Sequence, residues 1–169
     1  GYAYDDRWGR MGVGEFLKRR FIRLHPMVVF GALIGAAVFY TQGCPVWDVS
    51  KITLGALAVA TLMNALLLPA PISMEVRGVG EMYPLNGPSW SLLFEYIGNI
   101  LYAFVLRLLP TRALGALVAV AGCSLAAFAM WGPLGDVCVG FSMTGDNIVG
   151  GMLRLLYAFP MGLLLSRLF

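Results

Sequence analysis

Ser89-Trp-Ser-Leu-Leu-Phe-Glu-Tyr-Ile-Gly-Asn-Ile-Leu-Tyr-Ala-Phe-Val-Leu-Arg-Leu-Leu109 decides the fold. The stretch lies between Pro88 and Pro110, has the length of a membrane-spanning helix and shows no period-two alternation, so it reads as a helix and not as a barrel strand. Four further apolar stretches surround it. The first runs from His25 or Pro26 to Tyr40, and the second from Ile52 to Leu68, where Pro69-Ala-Pro71 would stop a helix. The fourth covers Ala113 to Trp131, and the fifth about Ile148 to Leu165 with Arg154 inside it.

Composition agrees. Of 169 residues, 59% are apolar and 12% charged, and the mean hydropathy is +0.78, too few charges to coat a water-facing surface of this size. The chain is expected to be an all-α membrane protein: a polytopic bundle of about five apolar helices, preceded by a basic interfacial helix. It reads as one domain over 1–169, with a cytoplasmic basic segment at 1–24 and the bundle at 25–169. Gly1 in place of Met, and an apolar end at Phe169, read as both ends of a chain cut from a longer protein. Cys44, Cys123 and Cys138 have no metal-ligand spacing and read as small packing groups.

The net charge of +3 is unevenly placed, with Arg7, Arg10, Lys18, Arg19, Arg20 and Arg23 all preceding the first span. Such a cluster fits a cytoplasmic flank facing anionic lipid or an anionic substrate better than a nucleic-acid groove, and no nucleic-acid partner is expected. Between Glu15 and Leu24, Phe16, Leu17, Phe21 and Leu24 are spaced for one helical face, and Pro26 is expected to part this interfacial helix from the span. Strict alternation of five spans then puts Arg107 and Arg112 on the outer side, against the usual bias; a re-entrant Pro69–Pro88 segment would restore it. Of the connectors, Thr41–Lys51 reads as an interfacial turn around Pro45 and Trp47, and Gly132–Asn147 as a flexible aqueous loop. Pro69–Pro88, with Glu75, Arg77 and Glu81, has irregular backbone that lipid cannot satisfy.

Glu95 is the first candidate for chemistry, because an ionisable group in an apolar helix is costly. Ser91 at i−4 and Asn99 at i+4 share its face and Tyr102 continues it, so one stripe presents hydroxyl, carboxylate, amide and phenol. The bland alternative is a structural tie from Glu95 to Arg154. Arg20 and Arg23, at i and i+3, can hold a phosphate bidentately or snorkel to headgroups. His25, the single histidine, reads as a base or as an interfacial group. Phosphate-loop, zinc-ligand, nucleophile-elbow and dinucleotide motifs are absent, and no metal is expected.

At these residues the chain resembles the acyltransferase 3 family of integral membrane O-acyltransferases. The likeness is carried by Phe16-Leu-Lys-Arg-Arg-Phe-Ile-Arg-Leu-His-Pro26 and by Leu85-Asn-Gly-Pro-Ser-Trp-Ser-Leu-Leu-Phe-Glu-Tyr-Ile-Gly-Asn-Ile-Leu-Tyr102, in order and spacing. The opening Gly1-Tyr-Ala-Tyr-Asp-Asp-Arg7 adds to it. The resemblance implies a multi-pass enzyme of the inner (plasma) membrane of a bacterium. It would move an acetyl or other short acyl group, not an amino-acyl group, from acyl-CoA to a hydroxyl of a glycan or small-molecule acceptor, as in polysaccharide O-acetylation.

The family's Arg-x-x-Arg element matches Arg20 and Arg23 and its Trp-Ser-Leu-x-x-Glu element matches Trp90, Ser91, Leu92 and Glu95; combined with the helical stripe, this puts Arg20 and Arg23, helped by Lys18 or Arg19, on the donor phosphates, Trp90 on substrate, and Glu95 with Ser91 and Asn99 in the catalytic group. Acyl-CoA serves as donor substrate, with no permanently bound cofactor. The family's general-base histidine is expected upstream of Gly1, and residues 1–169 alone are expected to be inactive. Two alternatives are a transporter or flippase fragment, with Glu95 and Arg154 lining a path, and a non-catalytic structural membrane subunit.

Overall fold

The computed structural model describes residues 11–44, 49–71, 76–77 and 80–169; the expectations placed on Gly1–Arg7, Arg10, Pro45, Trp47 and Glu75 fall outside them. Five α-helices follow one another: α1 Val13–Gln42, α2 Leu54–Ala65, α3 Ser89–Phe104, α4 Thr111–Trp131 and α5 Gly145–Leu168. Turns of 3-10 helix lie at Val49–Lys51 and Leu106–Leu108, and Glu81 and Ser142 make an isolated antiparallel bridge. Among the described residues, α1, α3 with its 3-10 extension, α4 and α5 are long and apolar enough to cross a membrane. Large apolar side chains such as Phe30, Leu33 and Val120 point outward, as a lipid-facing surface requires.

α1 corrects one expectation. Its 30 residues run unbroken through Pro26, so the basic amphipathic turn and the first span form one rod about 45 Å long instead of an interfacial helix and a separate span. Pro26 lies on an exposed face, where its ring and missing N–H weaken the ladder without parting it. Termination comes at Gly43, whose φ of 70° lets its N–H return to the Phe39 carbonyl at 2.9 Å.

A second correction concerns the Ile52–Leu68 stretch. The Thr53 hydroxyl caps α2 by accepting from the Ala56 N–H, and the helix ends after 12 residues, about 18 Å, well short of a crossing. Leu67 turns the chain with φ of 55°, a left-handed backbone that a leucine adopts only under constraint. The constraint is visible: the Tyr83 hydroxyl, in a fully buried side chain, donates to the Leu67 carbonyl at 2.8 Å.

Described residues between Pro69 and Pro88 then pack along the middle of α1. Val28 shares a buried cluster with Leu67, Met82 and Tyr83, while Phe39 shares another with Leu57, Ala60, Val76 and Leu85. A Cβ at Gly31 would overlap the Asn86 side chain, and one at Gly35 the Leu85 carbonyl, so α1 is glycine where irregular backbone crosses it. Protein therefore covers the described part of this irregular backbone, one of the settings in which it is tolerated at such depth.

At the other end of the bundle, Met11 and Phe16 of the first segment meet Tyr102, Ala103 and Leu106, Leu114 of α4, and Leu163 of α5 in one buried cluster. The start of α1, the end of α3, the start of α4 and the end of α5 thus lie together. Lys18, Arg19, Arg20 and Arg23 accordingly share the half of the molecule that holds Arg107, Arg112 and Arg167. Because α2 stops halfway, the charge conflict that follows from counting five spans disappears.

Candidate active site

α3 and α1 pack antiparallel. Phe16 meets Tyr102 at 5.5 Å between ring centroids, Phe21 meets Tyr96 at 6.2 Å, and Gly31 lies under Asn86. This register sets Arg20 level with Asn99, and Arg23 level with Glu95. His25 stacks on Phe21 at 4.3 Å, half-buried, which places it beside the same seam.

The stripe read on α3 is present as a helical face with graded burial. Asn99 and Tyr102 are buried, Glu95 is half-buried and Ser91 is exposed. Asn99 Nδ2 donates to the Glu95 carbonyl at 2.8 Å, and the Ser91 hydroxyl donates to the Pro88 carbonyl at 2.8 Å, where it tightens the first turn. The Glu95 carboxylate forms no ion pair among the described residues. Buried Asn99 Oδ1 and Tyr96 Oη likewise have no hydrogen-bond partner among them. These polar atoms are not consumed in holding the helices together.

Arg20 is half-buried, with its guanidinium 5.6 Å from the Phe16 ring centroid. It borders a cavity of about 290 Å³ lined also by Tyr102, Ala158, Phe159, Gly162 and Leu163. Arg23 and Arg19 are exposed, and Arg19 pairs with Glu15 one turn earlier. α3 and α5 meet closely because position 98 is glycine; a Cβ there would come within 2.7 Å of the Phe159 ring and 2.9 Å of Leu155.

Arg154 is not tied to Glu95. Its guanidinium donates to the carbonyls of Val137 and Val139, each at 3.2 Å, and stands 5.1 Å from the centre of the Trp90 ring. The stretch around Gly140 is strapped down further: the Gly140 N–H donates to Asn147 Oδ1, and the Met82 N–H to the Phe141 carbonyl at 2.8 Å. Gly140 has φ of 103° and its α-carbon faces the Trp90 ring, where a Cβ would stand 3.0 Å away. Part of the expected aqueous loop is thus packed on α3 and α5. Sequence reasoning sought a carboxylate for Arg154, and backbone carbonyls carry no sequence signal. It also passed over Ala158, Phe159 and Gly162, which look like any other apolar helix residues until α1 and α3 are set against them.

A helical bundle of several crossings, with a carboxylate unpaired among the described residues and a half-buried arginine on facing helices, is a polytopic membrane protein with a polar seam. The model of the acyltransferase 3 family, described as an acyltransferase domain, matches residues 1–169, and the chain belongs to that family. It is also similar to the protein of Rhizobium radiobacter called "Protein 2 in picA locus", at 38% identity over 101 residues, covering 56% of this chain and 51% of that protein. The matched region spans about half the length of that relative. No solved structure matches the chain.

Proposed function

We propose that this chain is part of a membrane-embedded O-acyltransferase that moves an acetyl or other short acyl group from acyl-CoA to a hydroxyl of a glycan or other acceptor. The observation that carries the reading, beside family membership, is Glu95: a carboxylate on an apolar helix, level with Arg23 yet without a counter-ion among the described residues. A carboxyl group in such a setting, with Asn99 Oδ1 and Tyr96 Oη also without hydrogen-bond partners among the described residues, is suited to a substrate or to a partner base. The absence of a Glu95–Arg154 tie removes what would favour a purely structural subunit. Among the described residues, the short α2 has no counterpart in α4 and α5, unlike the paired broken helices of transporters.

In this mechanism the basic half of the bundle faces the cytoplasm. Arg20 and Arg23 hold the donor phosphates in the planar fork that lysine cannot make, and Arg19, in an exposed pair that costs little to exchange, assists. Glu95, on the helical face it shares with Asn99 and Ser91, orients the base that takes the proton from the acceptor hydroxyl as its oxygen attacks the thioester carbonyl. The acyl–oxygen bond forms, and the CoA thiolate leaves. Trp90, held by Arg154 and the Gly140 strap, borders the acceptor.

The test uses the full-length protein in membranes supplied with labelled acetyl-CoA, reading label recovered in alkali-labile ester. Glu95→Gln keeps shape and removes charge; it should lower transfer about 100-fold or more, within the range of general acid–base assistance, with protein level and thermal stability unchanged. Arg20→Ala or Arg23→Ala should weaken acyl-CoA use, and lysine should rescue poorly. An active Glu95→Gln enzyme, or arginine variants with normal donor affinity, would overturn these assignments.

A further inference from the structure

We propose that Arg154 is a positioning residue for acyl transfer: it locks the Trp90 indole to the α4–α5 connector around Val137, Val139 and Gly140, and so makes that connector part of the acceptor side of the site. The inference rests on the reading of Trp90 as the residue that borders the acceptor. It extends that reading to α5 and to a connector that otherwise serves only as packing.

Four segments converge on one side chain. Within α3, Trp90 meets Phe94 edge-on one turn later, at 6.1 Å between ring centroids. On α5, Gly151 and Arg154 are three residues apart and share a face. A Cβ at Gly151 would overlap the Phe94 ring, while the Arg154 guanidinium lies over the Trp90 ring at 5.1 Å. The connector comes against both aromatics, since a Cβ at Gly140 would stand 3.0 Å from the Trp90 ring and 3.2 Å from that of Phe94. From the side of α1, Trp90 packs against the buried cluster of Val28, Leu67, Met82 and Tyr83. With all these contacts it is still only half-buried. Part of the ring stays open while the rest is clamped, as a rigid aromatic surface for a ligand requires.

Arg154 is the group that joins the indole to the connector, because one guanidinium nitrogen donates to the carbonyls of both Val137 and Val139. The following residues have anchors of their own. The Gly140 N–H donates to Asn147 Oδ1, the Phe141 carbonyl accepts from Met82, and Ser142 bridges to Glu81. Replacing Arg154 therefore loosens Trp90 against the connector before it frees the connector from the bundle. Lysine keeps the charge and can serve a carbonyl, but has no planar group to lie on the ring.

The experiment is a double-mutant cycle in the full-length protein, in membranes supplied with saturating labelled acetyl-CoA. Label in alkali-labile ester is read per folded enzyme, well below each variant's unfolding temperature. Trp90→Phe and Arg154→Lys should each lower transfer about ten-fold with the KM for acetyl-CoA moved less than about two-fold, and the double variant should be no worse than Trp90→Phe by more than about two-fold. In protein labelled with 5-fluorotryptophan, the fluorine resonance that Trp90→Phe removes should shift or broaden in Arg154→Lys. Should lysine fail to support folding, Arg154→Gln, a planar donor without charge, takes its place with the same expectations. An Arg154 variant as active as wild type, or single losses that multiply in the double variant, would overturn the positioning role and leave the reading of Trp90 standing. A fully active Trp90→Phe enzyme would overturn that reading and this inference with it, as would a wild type that forms no labelled ester.

Discussion

The two ends of the bundle solve the backbone problem differently. Where Phe16, Tyr102, Leu114 and Leu163 meet, the described segments are helical apart from the 3-10 turn after α3, and the seam is filled by apolar side chains. Where α2 stops and the segments around Leu67, Pro84 and Val139 unwind, donors arrive from elsewhere in the chain. Tyr83 serves the Leu67 carbonyl, Arg77 that of Pro84 at 3.2 Å, and Arg154 those of Val137 and Val139. The 3-10 turn after α3, in the regular half, follows the same rule, with Arg167 donating to the carbonyls of Leu109 and Arg107. Polar side chains in this protein thus fall into two groups: those that serve unwound backbone, and those, such as Glu95, that do not.

The comparison breaks most sharply at α1. Gly35→Leu would drive a side chain into the Leu85 backbone and should cost about 3 kcal/mol or more, read as loss of folded protein after detergent extraction. Gly14→Ala, in the open first turn of the same helix, should be neutral or stabilise by up to about 1 kcal/mol. A matching loss at both positions would show that helix propensity, not close approach, governs α1.

Removing a donor comes next. Arg154→Ala leaves two carbonyls unserved and should destabilise by about 2–3 kcal/mol, and Arg154→Lys should restore only part of it; thermal unfolding of the full-length protein measures both. Glu95→Gln added to Arg154→Ala should recover nothing, because the two side chains are not partners, whereas recovery would restore the tie. Tyr83→Phe keeps the packing and deletes the bond to Leu67, at about 1–2 kcal/mol. The smallest effect is expected at the turn itself: Leu67→Gly relieves a left-handed leucine but gives up a buried side chain, so the net change should stay within about 1 kcal/mol. A large loss there would mean that the Leu67 side chain, and not its carbonyl, anchors the turn.

Hydropathy and proline placement were enough to locate α3, α4 and α5 to within a few residues, because a span of about 20 apolar residues has no other stable form in a bilayer. The stripe from Ser91 to Tyr102 was legible for the same reason: helical periodicity is a local property, and it assigns a face without knowledge of any neighbour. The arginines at 20 and 23 were legible as a pair in the same way. Whether α2 crosses was not a local question. Ile52 to Leu68 is as uncharged as a true span, and it ends early because Leu67 is held in a turn by a tyrosine 16 residues onward. Pro26 likewise looked like a boundary, yet α1 continues through it.

The partner of Arg154, the cavity beside Arg20 and the shared end of Arg20, Arg23, Arg107, Arg112 and Arg167 exist only once the helices are set against one another. Each depends on contacts between residues far apart in the chain, often with backbone carbonyls that every residue type carries alike. Periodicity and charge determined which groups this protein presents at each level of its helices. Tertiary packing decided which of those groups are used to satisfy backbone and which, like Glu95, are not.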